Sequence, residues 1–155
     1  MTHSEARKTA ADVWAAVHEV LTDAQSPGRE LGDVVLYSTV RSLNQPQFST
    51  PALIVLQRRY DIADAWAQTG HMNLEVEFAV AVAGHDPKAD AASAADIAWS
   101  LVDMFIGADI RLGDRVHDTQ LVTLVEDSEP PGEEFETYTW ARLTLRWTFN
   151  VLLGC

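Results

Sequence analysis

Residues 137–152 read T-Y-T-W-A-R-L-T-L-R-W-T-F-N-V-L, and the alternation within this stretch decides the fold. Its apolar phase consists of Ala141, Leu143, Leu145, Trp147, Phe149 and Val151. Its polar phase consists of Arg142, Thr144, Arg146, Thr148 and Asn150. A two-residue period predicts a β-strand with one apolar face and one polar face. At about 3.3 Å per residue the strand would span roughly 50 Å, which predicts a bulge or an arm that projects beyond the domain.

Two amphipathic stretches predict helices that cover this apolar face. The first helix is expected over residues 3–24, where apolar side chains recur at helical spacing. The second is expected from Pro87 to Ile106, with Asp86 as its N-cap and Gly107 ending it in the left-handed conformation. We therefore expect an α+β fold. Its mostly antiparallel mixed sheet is covered by two main helices and ends in a long C-terminal β-hairpin.

Four further stretches predict the other strands. They are residues 33–41, 52–60, 71–83 and 119–126, the first of which could instead be partly an ordered connection. The second and third of these are expected to pair as a long hairpin, with Asp61–Gly70 as a substantial connecting loop. The segment between residues 126 and 136 is expected to be the loop of the C-terminal hairpin, because two prolines and a glycine stand at its centre.

The composition limits the classes of partner. The 155 residues, of which 47% are hydrophobic and 22% charged, are expected to form one folded domain spanning 1–155. The formal net charge of -12 disfavours wrapping nucleic acid or lying on an anionic membrane. Cys155 is the single cysteine, which excludes an intrachain disulfide and a cysteine-built zinc site. We expect neither a signal peptide nor a membrane span.

Residues that could carry chemistry are scattered. The five histidines do not stand at metal-ligand spacing, and the sequence contains no phosphate-binding loop, nucleophile elbow or zinc-protease motif. Glu75 and Glu77 share one face of a strand and could form an acid/base pair, although a solvated face or a contact with arginines explains them better. We therefore predict that the protein is not an enzyme, with no catalytic, cofactor-binding or metal-binding residues and no cofactor.

The polar face of the last strand is the candidate subunit interface. It carries a mix of aromatic and arginine side chains that is enriched where proteins bury contacts. The candidate residues are Tyr138, Trp140, Arg142 and Arg146, with Glu75 and Glu77 as acidic partners within or between subunits. The alternative is that the arginines pair with the two glutamates across the sheet of one subunit while the aromatic rings fill gaps in packing.

The loop of the C-terminal hairpin is the candidate acidic surface. Its carboxylates are Glu126, Asp127, Glu129, Glu133, Glu134 and Glu136. Their mutual repulsion favours an extended, solvated tip. The functional interpretation is a surface that meets a basic partner or keeps passing DNA from sticking, and the alternative is an ordinary solvated loop.

The order of a helix, a strand region, a long hairpin, a covering helix and a final hairpin resembles the tail terminator proteins of long-tailed bacteriophages, the family of the minor tail protein U. The resemblance covers nearly the whole chain. It is carried by A-D-V-W-A-A-V-H-E-V-L, P-A-L-I-V-L-Q-R-R-Y, M-N-L-E-V-E-F-A-V-A-V and W-A-R-L-T-L-R-W-T-F-N-V. It is a resemblance of pattern without a signature motif, so no functional residue carries over individually.

The resemblance implies a structural virion protein. Subunits of that family have a mixed α/β fold, close into a hexameric ring, stop polymerisation of the tail tube and offer a surface to the head. The implied partners are further copies of the chain, the tail tube protein and a head-completion or connector protein, while DNA passes through the ring without specific binding. The implied location is the head-proximal end of the virion tail, after assembly in the host cytoplasm and without a membrane.

Two alternative functions stay open. A head-to-tail connector or head-completion protein has a similar size and composition. From a different class, a small α+β ligand-binding domain could hold a ligand between its helices and a curved sheet. Such a site needs polar groups among the inward residues, and the inward sets of the two cleanest strands contain none. These sets are Leu74, Val76, Phe78, Val80, Leu143, Leu145, Trp147 and Phe149.

Overall fold

A five-stranded sheet carries two helices on one face. The structure, a computed structural model, describes residues 5–38, 48–66, 69–84 and 86–152, without the side chain of Glu134. Its helices are α1 (Glu5–Asp23) and α2 (Pro87–Val102), with a π-helix (Asp103–Ala108) continuing α2 and a short 3-10 helix at Glu133–Phe135. Its strands are β1 (Val35–Tyr37), β2 (Ala52–Trp66), β3 (Thr69–Val82), β4 (Asp118–Ser128) and β5 (Thr139–Leu152).

The strand order across the sheet is β1-β2-β3-β5-β4. The short strand β1 pairs with β2 in parallel, and every other neighbouring pair is antiparallel. This arrangement confirms the expected α+β class with a mixed, mostly antiparallel sheet, two main helices and a long C-terminal hairpin, formed by β4 and β5. The closing strand β5 lies between β3 and β4, so both of its edges are hydrogen-bonded.

Strand β5 follows the predicted alternation. Its apolar phase from Ala141 to Val151 is buried, and the arginines and threonines of the other phase are half-buried. The expected bulge or projecting arm is wrong for β5, because it pairs with β3 without a register shift from Thr139 to Leu152. The bulges lie in its neighbours instead. Strand β2 shifts register after Val55 and again after Ile62, and β4 shifts after Leu121 and after Val125.

The hairpin of β2 and β3 is longer than predicted. The expected loop Asp61–Gly70 is mostly strand, since β2 continues to Trp66 and β3 begins at Thr69. Its polar composition arises because β2 is exposed on both faces from Gln57 onward, so no apolar face marks it as a strand. The prediction of a strand over residues 33–41 was also too long, as β1 ends at Tyr37 and residues 39–41 lie outside the described part of the chain.

The second helix begins where it was predicted and ends differently. Asp86 caps it by accepting a hydrogen bond from the Lys88 backbone N–H at 3.1 Å. The predicted left-handed end at Gly107 is wrong, because the π-helix carries the helical path through that residue. The left-handed residues come in the following turn, at Leu112, Gly113 and Asp114.

The main core lies between the sheet and the helices. The ring of Phe105, beyond the end of α2, meets Trp147 of β5 edge-on at 5.2 Å between centroids. By length and composition alone, residues 87–108 could cross a membrane. In the structure their inward face, which includes Ala94, Ala98 and Leu101, is buried against the sheet. A core helix can pass the same compositional test.

A smaller core lies on the opposite face of the sheet. Trp140 is only 1% exposed there and packs with Phe135, Ala79 and Ala81. Its indole Nε1 donates a hydrogen bond to the Phe135 carbonyl at 3.0 Å, which ties down the loop that connects β4 to β5. The expectation of an extended tip is therefore wrong, because Phe135 anchors the loop to the sheet while the neighbouring carboxylates remain outside.

Candidate assembly surfaces

The polar face of the sheet centres on Glu75, which is 13% exposed. One of its carboxylate oxygens accepts hydrogen bonds from Arg146 Nε at 2.8 Å and from Arg146 Nη2 at 2.5 Å. The other accepts from Arg59 Nη2 at 2.7 Å. Because one carboxylate holds two guanidinium groups from the strands on either side, Glu75 joins β2, β3 and β5 through side chains as well as backbone.

The same face continues to β4. Arg146 Nη1 donates to Gln120 Oε1 at 3.4 Å, and Arg142 Nη1 donates to Glu77 Oε1 at 3.3 Å. The structure thus brings together Arg142, Arg146, Glu75 and Glu77 within one subunit, as the alternative in the sequence analysis supposed. We name this set, with Arg59 and Gln120, the polar ladder. Reversing the charge of Arg146 would place a carboxylate against Glu75, so such a variant would report on folding as well as on assembly.

The two aromatic members of the candidate interface serve the smaller core. Trp140 is buried and does not form a surface. Tyr138 is half-buried, stacks on Phe48 at 4.3 Å between centroids and accepts a hydrogen bond from the Phe48 backbone N–H at 3.1 Å. Packing within the subunit therefore accounts for both aromatic residues.

The acidic loop keeps its carboxylates on the surface. Glu126, Asp127, Glu129, Glu133 and Glu136 are all exposed, and the side chain of Glu134 lies outside the described residues. Glu126 has a defined partner, since its Oε1 accepts a hydrogen bond from the indole Nε1 of Trp99 on α2 at 2.9 Å. This contact places a carboxylate and an exposed indole side by side at the edge strand β4.

Both sides of the sheet end in a strand edge. Strand β1 covers β2 only from Ala52 to Ile54, and within the described ranges no strand pairs with the rest of this edge. Strand β4 pairs with β5 on one side, and in the same described ranges its outer edge has no strand partner. Unpaired strand edges offer rows of backbone N–H and C=O groups to another chain.

Exposed apolar side chains concentrate at these two edges. Along β2 they are Tyr60, Ile62 and Trp66, between 39% and 53% exposed. Beside β4 they are Trp99, Val122 and Val125, between 43% and 46% exposed. The sequence analysis missed both groups. Tyr60 and Ile62 continue the alternation of a strand past its predicted end at Tyr60. The aspartates between and after them obscure this signal.

Two of the five histidines, His71 and His117, belong to hydrogen-bonded pairs near the tip of the first hairpin. His71 Nδ1 lies 2.9 Å from Asp64 Oδ1, and His117 Nε2 lies 2.8 Å from Asn150 Oδ1. The two imidazoles meet edge-on at 5.1 Å between centroids. Among the residues that the structure describes, no group of three histidine, cysteine or carboxylate side chains could hold a metal ion. His3, His85 and Cys155 lie outside those residues.

The sequence matches no protein-family model and no curated protein. Within the described residues, the sheet offers unpaired backbone groups and exposed apolar side chains on two opposite sides.

Proposed function

We propose that the protein is a structural tail terminator, a subunit that closes into a hexameric ring on the end of a bacteriophage tail tube and stops its polymerisation. The observation that supports the proposal concerns two edges on opposite sides of one sheet. Apart from the part of β2 that β1 covers, each edge has no strand partner in the described ranges, and each carries exposed apolar side chains. A contact between two different patches is heterologous, and repeating it closes a ring when the rotation between subunits is right.

The strand directions support this mode of association. Within a subunit β2 and β5 run in the same direction, while β4 runs opposite to both. When the β4 edge of one copy lies beside the β2 edge of the next, the two strands are therefore antiparallel. The junction then continues the pairing used inside the subunit, with backbone hydrogen bonds as the main interaction.

The polar face of the sheet is the face that we propose to line the ring. A hollow on the polar face is lined by Gln57, Arg59, Glu75, Glu77, Val122 and Thr144. The hollow therefore extends across the polar face from β2 to β4. Closure would place the polar ladder inside and the helices outside. Arginines that are already paired with carboxylates, in a chain of net charge -12, would let DNA pass without specific binding.

The proposed partners follow from this arrangement. One open end of the ring would meet the tail tube protein, and the other would meet a head-completion or connector protein. The proposed role is structural, with no catalysis, no cofactor and no membrane, at the head-proximal end of the tail after assembly in the host cytoplasm.

The test uses tubes polymerised from the cognate tail tube protein, imaged by negative-stain electron microscopy with and without this chain. We expect a ring of density at one tube end and arrested growth when the chain is added before polymerisation is complete. Unchanged tube lengths together with bare tube ends would overturn the proposal. Native mass spectrometry of the chain alone would then show whether it associates for another purpose.

A further inference from the structure

A groove of about 600 Å³ lies between the first half of α1 and the far end of the β2–β3 hairpin. Apolar groups from both elements line it, among them Ala10, Ala11 and Trp14 of α1 and Met72 of β3. Tyr60 contributes from β2. An apolar groove of this size beside an unpaired strand edge is a docking surface for a bulky side chain.

The charge of the groove differs from that of the chain. Among the described residues, its lining includes Arg58 and no carboxylate, although the chain carries 23 aspartates and glutamates. Two other hollows of the described surface do contain carboxylates, Asp12 and Glu19 in one and Glu30, Asp103 and Asp109 in the other. The groove therefore favours an occupant that combines an apolar group with a negative charge.

One wall of the groove is already arranged for an aromatic guest. The Arg58 guanidinium carbon lies 4.5 Å from the centroid of the Trp14 ring, a cation–π contact that holds both side chains in place. Tyr60 lines the same groove, so an arginine and two aromatic rings border one surface. Side chains that are held before binding lose less conformational entropy when a partner arrives.

We propose that Trp99 of a second copy occupies this groove, an inference that rests on the proposed ring. Trp99 is 45% exposed, and its indole is fixed by the hydrogen bond from Nε1 to Glu126 Oε1 at 2.9 Å. It is thus a bulky aromatic group with a carboxylate beside it, which is the combination that the groove favours. Tryptophan is also a residue type that dominates the binding energy of interfaces.

The topology brings the two surfaces to the same junction. The groove lies by the β2 edge and Trp99 lies by the β4 edge, both on the helix-bearing side of the sheet. The strand register places Arg58 level with Leu121, and Val125, the neighbour of Glu126, pairs with β5 three residues away from Leu121 because Val122 is bulged.

Two variants test the role of Trp99 and the role of the groove separately. Trp99→Ser removes the guest at an exposed position, and Ala11→Trp fills the groove from an exposed helical position. By native mass spectrometry over a range of concentrations we expect rings from the wild type and monomers from either variant alone. A mixture of the two should form one-to-one dimers, because Trp99 of the Ala11→Trp variant enters the open groove of the Trp99→Ser variant. The dimer then has a filled groove at one free edge and no Trp99 at the other, so it cannot grow.

Leu152→Ser is the matched control, since Leu152 is 54% exposed at the end of β5, away from both strand edges, and does not line the groove. It should form rings as the wild type does. Two results would overturn the docking of Trp99 without contradicting the proposed ring. One is ring formation by Trp99→Ser. The other is a mixture that stays monomeric although each variant alone no longer forms rings. A wild type that stays monomeric at every concentration and does not cap tubes would overturn the proposed function as well.

Discussion

Glu75 is the residue on which the polar face depends most. It accepts three hydrogen bonds from two guanidinium groups, and it is far less exposed than Arg59 or Arg146. We expect Glu75→Gln to lower the free energy of unfolding by about 1–2 kcal/mol, since charge-assisted bonds are lost and both arginines are partly solvated. Urea denaturation followed by circular dichroism measures this change.

Glu77→Gln is the matched control for that prediction, because it removes the same charge from the same face. Glu77 is 34% exposed and has one bond, from Arg142 Nη1 at 3.3 Å. We expect a loss below about 0.5 kcal/mol. Equal losses in the two variants would contradict the central role of Glu75.

Tyr60 predicts a dependence of stability on alkaline pH. Burial raises the pKa of its phenol above the ordinary value of 10.0, while the nearby Arg58 acts in the opposite direction. The folded state therefore holds this proton more tightly than the unfolded state. The corresponding stability is fully present below about pH 10 and is lost as the pH rises through the raised pKa.

We expect Tyr60→Phe to reduce the alkaline loss of stability, because phenylalanine has no proton to lose. Urea midpoints measured at intervals from pH 8 to about 11 compare the two proteins. Identical slopes above pH 10 would show that the Tyr60 phenol does not contribute to this loss.

Some contacts of single residues could be predicted from the sequence and others could not. The pairing of Arg142 and Arg146 with Glu77 and Glu75 could be considered in advance, because alternation places all four on one face. Packing of Trp140 within the chain could also be considered, but the residues that cover it could not be named, since Trp140 belongs to the polar phase of β5. It is covered by Phe135 and by the aromatic ring of Phe48, and no period in the sequence reports that contact.

Among the elements, the loop between β4 and β5 is held by one side chain. Phe135 is 6% exposed and its ring meets Trp140 and Phe48 in the smaller core. We expect Phe135→Ala to cost about 3 kcal/mol in stability and to release the acidic loop. A glutamate-specific protease should then cleave the chain near Glu133 faster than in the wild type.

Glu136→Ala serves as the comparison for the loop, since Glu136 is exposed next to Phe135. It should leave both the stability and the cleavage rate near Glu133 close to those of the wild type. Equal cleavage of wild type and Phe135→Ala would show that the loop is held by something other than this ring.

The sequence predicted the elements that bury one face and missed those that do not. Strand β5 and the helices α1 and α2 were located because each buries one face and therefore carries a clear period. The outer half of β2 was missed because both of its faces are exposed, so its strand conformation depends on pairing with β3. The π-helix after α2 has no period of its own that the sequence could reveal.

At the scale of the whole molecule, association along the strand edges predicts a pattern of amide protection. In the assembled state, hydrogen exchange should slow at Gln57–Ile62 of β2 and at residues 118–125 of β4, because their outward N–H groups gain partners. The central strands β3 and β5 should show little change, since their edges are already paired within the subunit. Protection confined to the helices would place the contact between subunits elsewhere.

The bulges in β2 and β4 affect how quickly subunits would leave and rejoin an assembly. Strand β2 has six residues, Gln57–Ile62, between its two register shifts, and β4 is interrupted twice as well. A junction of this length is short-lived by itself, whereas a subunit inside a closed ring leaves only when two junctions open together. Incomplete arcs would therefore dissolve and re-form quickly while complete rings persist. The irregular edges would therefore favour closed rings over open-ended growth, because closed rings would live longer than open arcs.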